Sequence, residues 1–417
     1  MAAKSIRWSD EKHYDWVREH GPKLGWQSTA LWALFCEQFR DVNPSLAAFR
    51  GFSARVKEGA QPNPVTDLAP VVPATIEEAT RQQAAEMERR REKRMLADLL
   101  SKQSAITQVV DAVREVVPTI PRIEVPRLQA PDIDPLHSTP QTALLLLSDV
   151  HIGQVVRPEE VDGLGEYNFN KFLERRDRLV KTVRSIVQHH RMSHPVDDLA
   201  IAWLGDMVEG DGIFPSQRLN LDKNLMEQVF DGAFELSTIP LAMLDLVDRI
   251  QNYCVVGNHG RVGRKGDNLT YVSWDYVTYR TMQLKLAEFS DRITWDIPES
   301  FFTTPTIAGH PWLFWHGDDL KSWNGLPWYG LQRAVGAWTS IFNTRQQTFE
   351  NAAIGHFHQH AEIQQYAGNI IANGCWPGSN EYSLRLRSIS RPMQTLLFLH
   401  PKYGVTARYN VLLDIPS

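Results

Sequence analysis

Five short apolar runs between residues 144 and 358 of the chain each break off at His, Asp or Asn. That recurrence constrains the fold more than any other feature. In order the runs read LLLLSDVH (144–151), LAIAWLGD (199–206), YCVVGNH (253–259), PWLFWH (311–316) and AAIGHFH (352–358). They read as strands, and helical stretches over 172–190 and 225–251 alternate with them, which predicts an α/β fold. In open α/β sheets the loops past the strand ends converge into a binding crevice. Here those ends carry Asp149, His151, Asp206, Asn258, His259, His316, His356 and His358. Imidazole, carboxylate and carboxamide donors suit divalent metals of mixed hardness. Two such ions about 3.5–4 Å apart can clamp the attacking and leaving oxygens of an in-line phosphoryl displacement.

The rest of the composition sets bounds. With 417 residues, 43% of them hydrophobic, the chain can build one large domain and accessories. A formal net charge of −5 excludes a uniformly basic nucleic-acid coat and permits local basic patches. Cys36, Cys254 and Cys375 are far apart and odd in number, so they give no disulfide framework and read as ordinary thiols. No run approaches the roughly 18 apolar residues that span a bilayer, and MAAKSIRWSDEKHYDW lacks the apolar core of a signal peptide. The expectation is a soluble, cytoplasmic protein with no membrane partner.

Three regions separate. Residues 1–60 read as a small all-helical unit. Ser9 or Asp10 caps a helix over 11–20 that Gly21-Pro22 ends, a second helix covers 27–39, and Asp41–Pro44 turns into a third over 45–57. Trp8, Trp16, Trp26, Trp32, Phe35, Phe39 and Phe49 would fill its core. Three short helices of this kind are similar to the helix-turn-helix or Myb-like class, with Arg50, Arg55 and Lys57 on the third. Nine Lys/Arg against seven Asp/Glu give only a slight electrostatic footprint, so DNA binding and protein docking both stay open. Residues 61–137 form a linker: a Pro-rich stretch, a charged helix over 76–117 containing ERRREKR, and a second stretch spaced by Pro118, Pro121, Pro126, Pro131 and Pro135. The catalytic domain is placed at 138–417.

The motifs D-x-H, G-D, G-N-H, H-G and G-H-x-H, in this order, resemble the calcineurin-like metallophosphoesterase superfamily over about 144–358. The resemblance implies a two-sheet α/β metallophosphoesterase sandwich flanked by helices, with two metals between the loop ends of the sheets. It implies Asp149, His151, Asp206 and His358 on one ion, and Asp206, Asn258, His316 and His356 on the other. Asp206 would bridge them together with a hydroxide nucleophile, and His259 would be the general acid.

Two departures sharpen this. The usual acid after G-N-H is Gly260, and Glu209 takes over the orienting position; the phosphate-binding Arg of protein phosphatases is replaced by Gly210. Arg261, in the loop GRVGRKGDN, is the candidate for gripping a phosphodiester. The strings LGDMVEG, IFP, GNHGR and GSNEY resemble a phage and prophage branch akin to DNA exonucleases of the SbcD type. The resulting expectation is a Mn2+-dependent phosphodiesterase acting on DNA, with Fe2+ or Zn2+ as other metals of suitable hardness. Phosphomonoesterase, nucleotide or cyclic-nucleotide phosphodiesterase, and a DNA- or partner-binding module with a non-catalytic metal site are the alternatives. A homodimer is compatible with the sequence, which does not set the oligomeric state.

Overall fold

The computed structural model describes residues 11–39, 46–59, 76–128, 139–214, 217–320, 327–365 and 368–414. The expected cap at Ser9 or Asp10, the turn at Asp41–Pro44 and the Pro-rich stretch up to residue 75 lie outside them. The chain forms two compact units, Met1–Met87 and Glu88–Ser417. Among the described residues no helix is long and apolar enough to cross a membrane.

In the first unit α1 (Glu11–Lys23), α2 (Ser28–Gln38) and α3 (Leu46–Lys57) pack together. The first helix does not stop at Gly21-Pro22. It runs one turn further, because Trp26 folds back so that its amide donates to the Gly21 carbonyl, and its ring occupies the space a side chain at Gly21 would need. The centre of the core is Tyr14, Val17, Leu31, Phe35, Phe49, Phe52 and Val56, whereas Trp16, Trp26, Trp32 and Phe39 sit at its edge. The spacing Phe49, Phe52, Val56 is one face of a helix. It leaves Arg50, Arg55 and Lys57 exposed.

The second unit has the expected α/β fold with two sheets. The first sheet is ordered β12-β11-β1-β2-β3-β4, built from β1 (Thr142–Leu147), β2 (Asp198–Trp203), β3 (Arg249–Cys254), β4 (Ile293–Asp296), β11 (Met393–His400) and β12 (Gly404–Leu412). Strands β1 to β4 are parallel, and β11 and β12 close one side antiparallel. The second sheet contains β5 (Phe302–Thr303), β7 (His310–Trp315), β8 (Asn351–Ile354), β10 (Asn369–Ala372) and β9 (Ala361–Gln364) in that order, with β6 (Thr306–Ile307) paired to β7. Strands β7, β8 and β10 are parallel.

Strand alternation divides the core. Leu144, Leu146, Ala200 and Ala202 face the second sheet, where they meet Trp312, Phe314, Ala353 and Ile371. Their neighbours Leu145, Leu147, Ile201 and Trp203 face α5 (Phe169–His190), α6 (Leu225–Leu241) and α7 (Trp274–Lys285). On the far side Leu313, Trp315 and Ile354 pack against α8 (Trp328–Asn343). This unit is thus two sheets face to face with helices outside. The aromatic run 311–315 is core.

The helix expected to reach residue 251 ends at Leu241, one residue after Pro240. Residues 249–254 are instead drawn into the sheet between β2 and β4, which outweighs their local helical pattern. The long helix α4 (Ile76–Val116) buries Ile106 against the α/β core, with Val109 and Val110 half-buried beside it. The described part of the Pro-spaced stretch after it, up to residue 128, also lies on that core, and Pro131 and Pro135 fall outside the described residues. Ile120 and Leu128 donate backbone bonds to Lys285 and Asp245, and Arg122 pairs with Asp291 at 2.8 Å.

Candidate metal centre

The five polar strand ends belong to β1, β2 and β3 of one sheet and β7 and β8 of the other. All five are parallel to a neighbour in this set, so their carboxyl ends gather at one edge. Three donor groups result: Asp149, His151 and His358; His151, Asp206 and His259; and Asp206, His316 and His356. Within each group the donor atoms lie within 4.8 Å of one another. His151 and Asp206 are each shared by two groups. Asn258 joins the last through Oδ1, 3.1 Å from His316 Nε2. Every motif residue of the sequence reading is therefore in this cluster or in direct contact with it.

The backbone here is strained. Asp149 (φ 52°), His151 (φ 50°), Asp206 (φ 57°), His356 (φ 70°) and His358 (φ 59°) are all left-handed. That conformation costs a non-glycine residue about 1–3 kcal/mol, and such outliers collect at functional sites. D-x-H after β1 and H-x-H after β8 thus repeat one turn geometry from opposite sheets. Close approach adds a second constraint. A Cβ on Gly257 would lie 2.1 Å from Asp206 Oδ1, and one on Gly205 would lie 2.7 Å from His316 Nδ1.

Charge and hydrogen bonding show what the cluster accepts. Asp206 Oδ2 is buried and makes no hydrogen bond, although His316 Nε2 is 3.0 Å away. His316 Nδ1 faces the Leu204 carbonyl at 2.7 Å, so the imidazole is surrounded by acceptors. Burial opposes a charge on His316, but the carboxylates of Asp206 and Asp149 outweigh it and push its pKa up to about 10. Burial and the charge on His316 hold His356 down at about 4, so it stays neutral and able to donate a lone pair. His151 and His358 point Nε2 at Nε2 across 3.0 Å. Two nitrogens facing one point and an orphaned carboxylate oxygen fit a divalent cation.

Glu209 sits behind this layer. Its Oε2 is 2.8 Å from His151 Nδ1 and 3.1 Å from His259 Nδ1. Burial disfavours its charge, yet His259 and His151 hold its pKa at about 2. With Nδ1 donating to Glu209, His151 turns its Nε2 lone pair toward the cluster. His259 is also in contact with Gln217 at 3.3 Å and with the Phe214 ring. Arg261 donates from Nε to the Asn258 carbonyl at 3.0 Å, and its guanidinium lies 3.8 Å from Asp318.

Sequence reasoning missed Asp275. This carboxylate, fully buried in the first turn of α7, accepts from Asp206 N (2.9 Å) and Gly257 N (2.8 Å) at Oδ2. Its Oδ1 accepts from Met207 N (2.9 Å) and Val208 N (3.3 Å). It fastens the G-D loop to the G-N-H loop. Burial and the nearby Asp206 carboxylate push it up to about 6. The one local signal is the Ser273 cap that starts α7, which says nothing of the loops it grips. Cys375, read as an ordinary thiol, is buried against His358. Below Asp149, Asn373 donates to Ser148 Oγ and Gln394 Oε1, and Thr395 bonds both Asn373 and His360. His360 therefore supports the floor of the site.

No family model matches the chain. No curated protein matches it either. Among solved structures it is similar to Vps29 of Entamoeba histolytica in complex with Zn2+, 10% identical, covering 64% of this chain and 99% of that chain at a TM-score of 0.28. It is similar to an archaeal phosphodiesterase, 10% identical, covering 64% and 99% at a TM-score of 0.29. A hypothetical protein of Pyrococcus horikoshii is 9% identical, covering 66% and 89% at a TM-score of 0.32. Superpositions this loose leave the chemistry to be read from the site's own residues.

Proposed function

We propose that the chain is a two-metal phosphodiesterase of the calcineurin-like kind and that its substrate is DNA. The observation that carries this reading is the convergence of seven metal donors from five strand ends around an unpartnered Asp206 oxygen. Asp149, His151, Asp206 and His358 would hold one ion, and Asp206, Asn258, His316 and His356 the other. Mn2+ suits this set of imidazoles and carboxylates, as do Fe2+ and Zn2+. When bound, the ions supply Lewis-acid activation of the phosphoryl group and of water. The chain's own residues do the remaining work. Glu209 holds His259 through Nδ1, which leaves Nε2 to hand a proton to the departing sugar oxygen. Asp275 keeps Asp206 and Asn258 at a set separation. The loop carrying Arg261, Arg264 and Lys265 supplies positive charge beside the cluster, where protein phosphatases would place an Arg at the position of Gly210. Exposed Arg50, Arg55 and Lys57 on α3 favour a nucleic-acid role for the N-terminal unit, and the strings shared with phage and SbcD-type nucleases point the same way.

Asp206→Ala and His316→Ala should each lose bound metal and hydrolysis of bis-p-nitrophenyl phosphate and labelled DNA. Wild-type turnover by either variant with metal still bound overturns the assignment. Activity confined to small monoesters rejects DNA as substrate and leaves a phosphomonoesterase.

A further inference from the structure

A cavity of about 240 Å³ adjoins the metal centre and shares His316, Gly257 and Arg261 with it. Its apolar surface comes from Trp315, Val262, Phe301 and Leu269. Phe301 and Leu269 are 40% and 50% exposed, so two large apolar side chains stand open on the rim of one cavity. The charged residues lining it do not make it an anion site. Asp318 pairs with Lys265 at 2.9 Å and lies 3.8 Å from Arg261, so the cationic loop is largely offset on this side. Asn268 braces the loop that lines the cavity. Its amide donates to the Val262 carbonyl, and its oxygen is shielded from solvent without a hydrogen-bond partner. The volume is below the roughly 300–1,000 Å³ that encloses a drug-sized ligand, which suits one ring system.

We infer that this cavity is a recognition pocket for a single flat heteroaromatic ring attached to the phosphodiester, a nucleobase in the case of DNA. The inference rests on the phosphodiesterase reading above and narrows it: the site reads one base next to the scissile phosphate. Phe301 offers the stacking face. The Asp318 clamp sets the width of the mouth by holding the loop of Arg261 and Lys265 against β7.

The test compares a dinucleotide with the same diester lacking one base, for the wild type, Phe301→Ala and Phe301→Leu. Thermal melting first establishes that the variants are folded. The ratio of kcat/KM for the dinucleotide to that for the abasic diester should fall about tenfold in Phe301→Ala, mainly through KM, within the range measured for stacking one base. A ratio equal to wild type in both variants overturns the pocket while leaving the phosphodiesterase intact. Calorimetric binding of thymidine monophosphate and of inorganic phosphate to the metal-loaded protein separates the two claims. A preference for the nucleotide that Phe301→Ala removes supports the pocket even if no diester is cleaved, in which case the phosphodiesterase reading falls alone. No preference in the wild type overturns the pocket.

Discussion

Metal binding at this site should release protons, and the amount follows from His316. In the metal-free protein its imidazole lies between the Leu204 carbonyl, Asn258 Oδ1 and Asp206 Oδ2, and the carboxylates push its pKa up to about 10. A metal ligand must present a neutral nitrogen, so the ion displaces the proton from Nε2. Each pH unit below about 10 then weakens apparent binding about tenfold, or about 1.4 kcal/mol. Between pH 6.5 and 8.5 affinity should therefore rise about a hundredfold per ion held by His316. The sign for folding is opposite. A pKa raised on folding stabilises fully below the ordinary value of 6.5, and that stability is lost as pH rises through about 10. The metal-free protein should accordingly weaken over the pH range in which the loaded protein tightens. Calorimetry of Mn2+ binding in buffers of different ionisation enthalpy reads the protons released, and nitrogen NMR of the imidazole reads its titration without metal. If His316 titrates near its ordinary value, the charge balance drawn for the cluster is wrong. If it titrates high but binding releases no proton, His316 does not ligate.

Replacing Asp275 by Asn leaves one oxygen and one amide group facing four backbone donors, so metal affinity should drop about 10–100-fold, as for other groups that orient ligands; wild-type affinity by calorimetry would remove Asp275 from that role. Glu209, held at about 2 against an ordinary 4.5, contributes stability that is present above pH 4.5 and lost as pH falls through about 2. Urea titrations of metal-free protein over that range should show the wild type losing about 3 kcal/mol more than Glu209→Gln, and equal losses would contradict the pairing with His151 and His259. If α3 contacts phosphates, Arg50→Ala with Arg55→Ala should lower the slope of log affinity against log salt for duplex DNA by about 2. An unchanged slope would assign that unit to another partner.

The sheets and the cluster were legible because apolar runs ending in His, Asp or Asn carry both pieces of information in one local pattern. Less local features misled. Pro22 looked like a helix end until Trp26 folded back on Gly21, and residues 249–251 looked helical until two strands claimed them. In the N-terminal unit Phe35 and Phe49 lie in the core as expected, whereas Trp16, Trp26, Trp32 and Phe39 sit at its edge and the helix period puts Phe52 and Val56 inside.

By itself the sequence determined which donors the chain owns and that each stands at the end of a strand. Those are properties of covalent neighbours. Only the tertiary structure decided how the donors face one another. Two parallel sets of strands bring Asp149 and His358, 209 positions apart in the chain, to 3.4 Å. Five of the donors take a left-handed backbone that non-glycine residues seldom adopt, and packing of the two sheets holds them there. Asp275, 69 residues from Asp206, locks the loops through backbone amides, which every residue type possesses. Such a contact leaves no mark in the pattern of side chains, and so only the fold could reveal it.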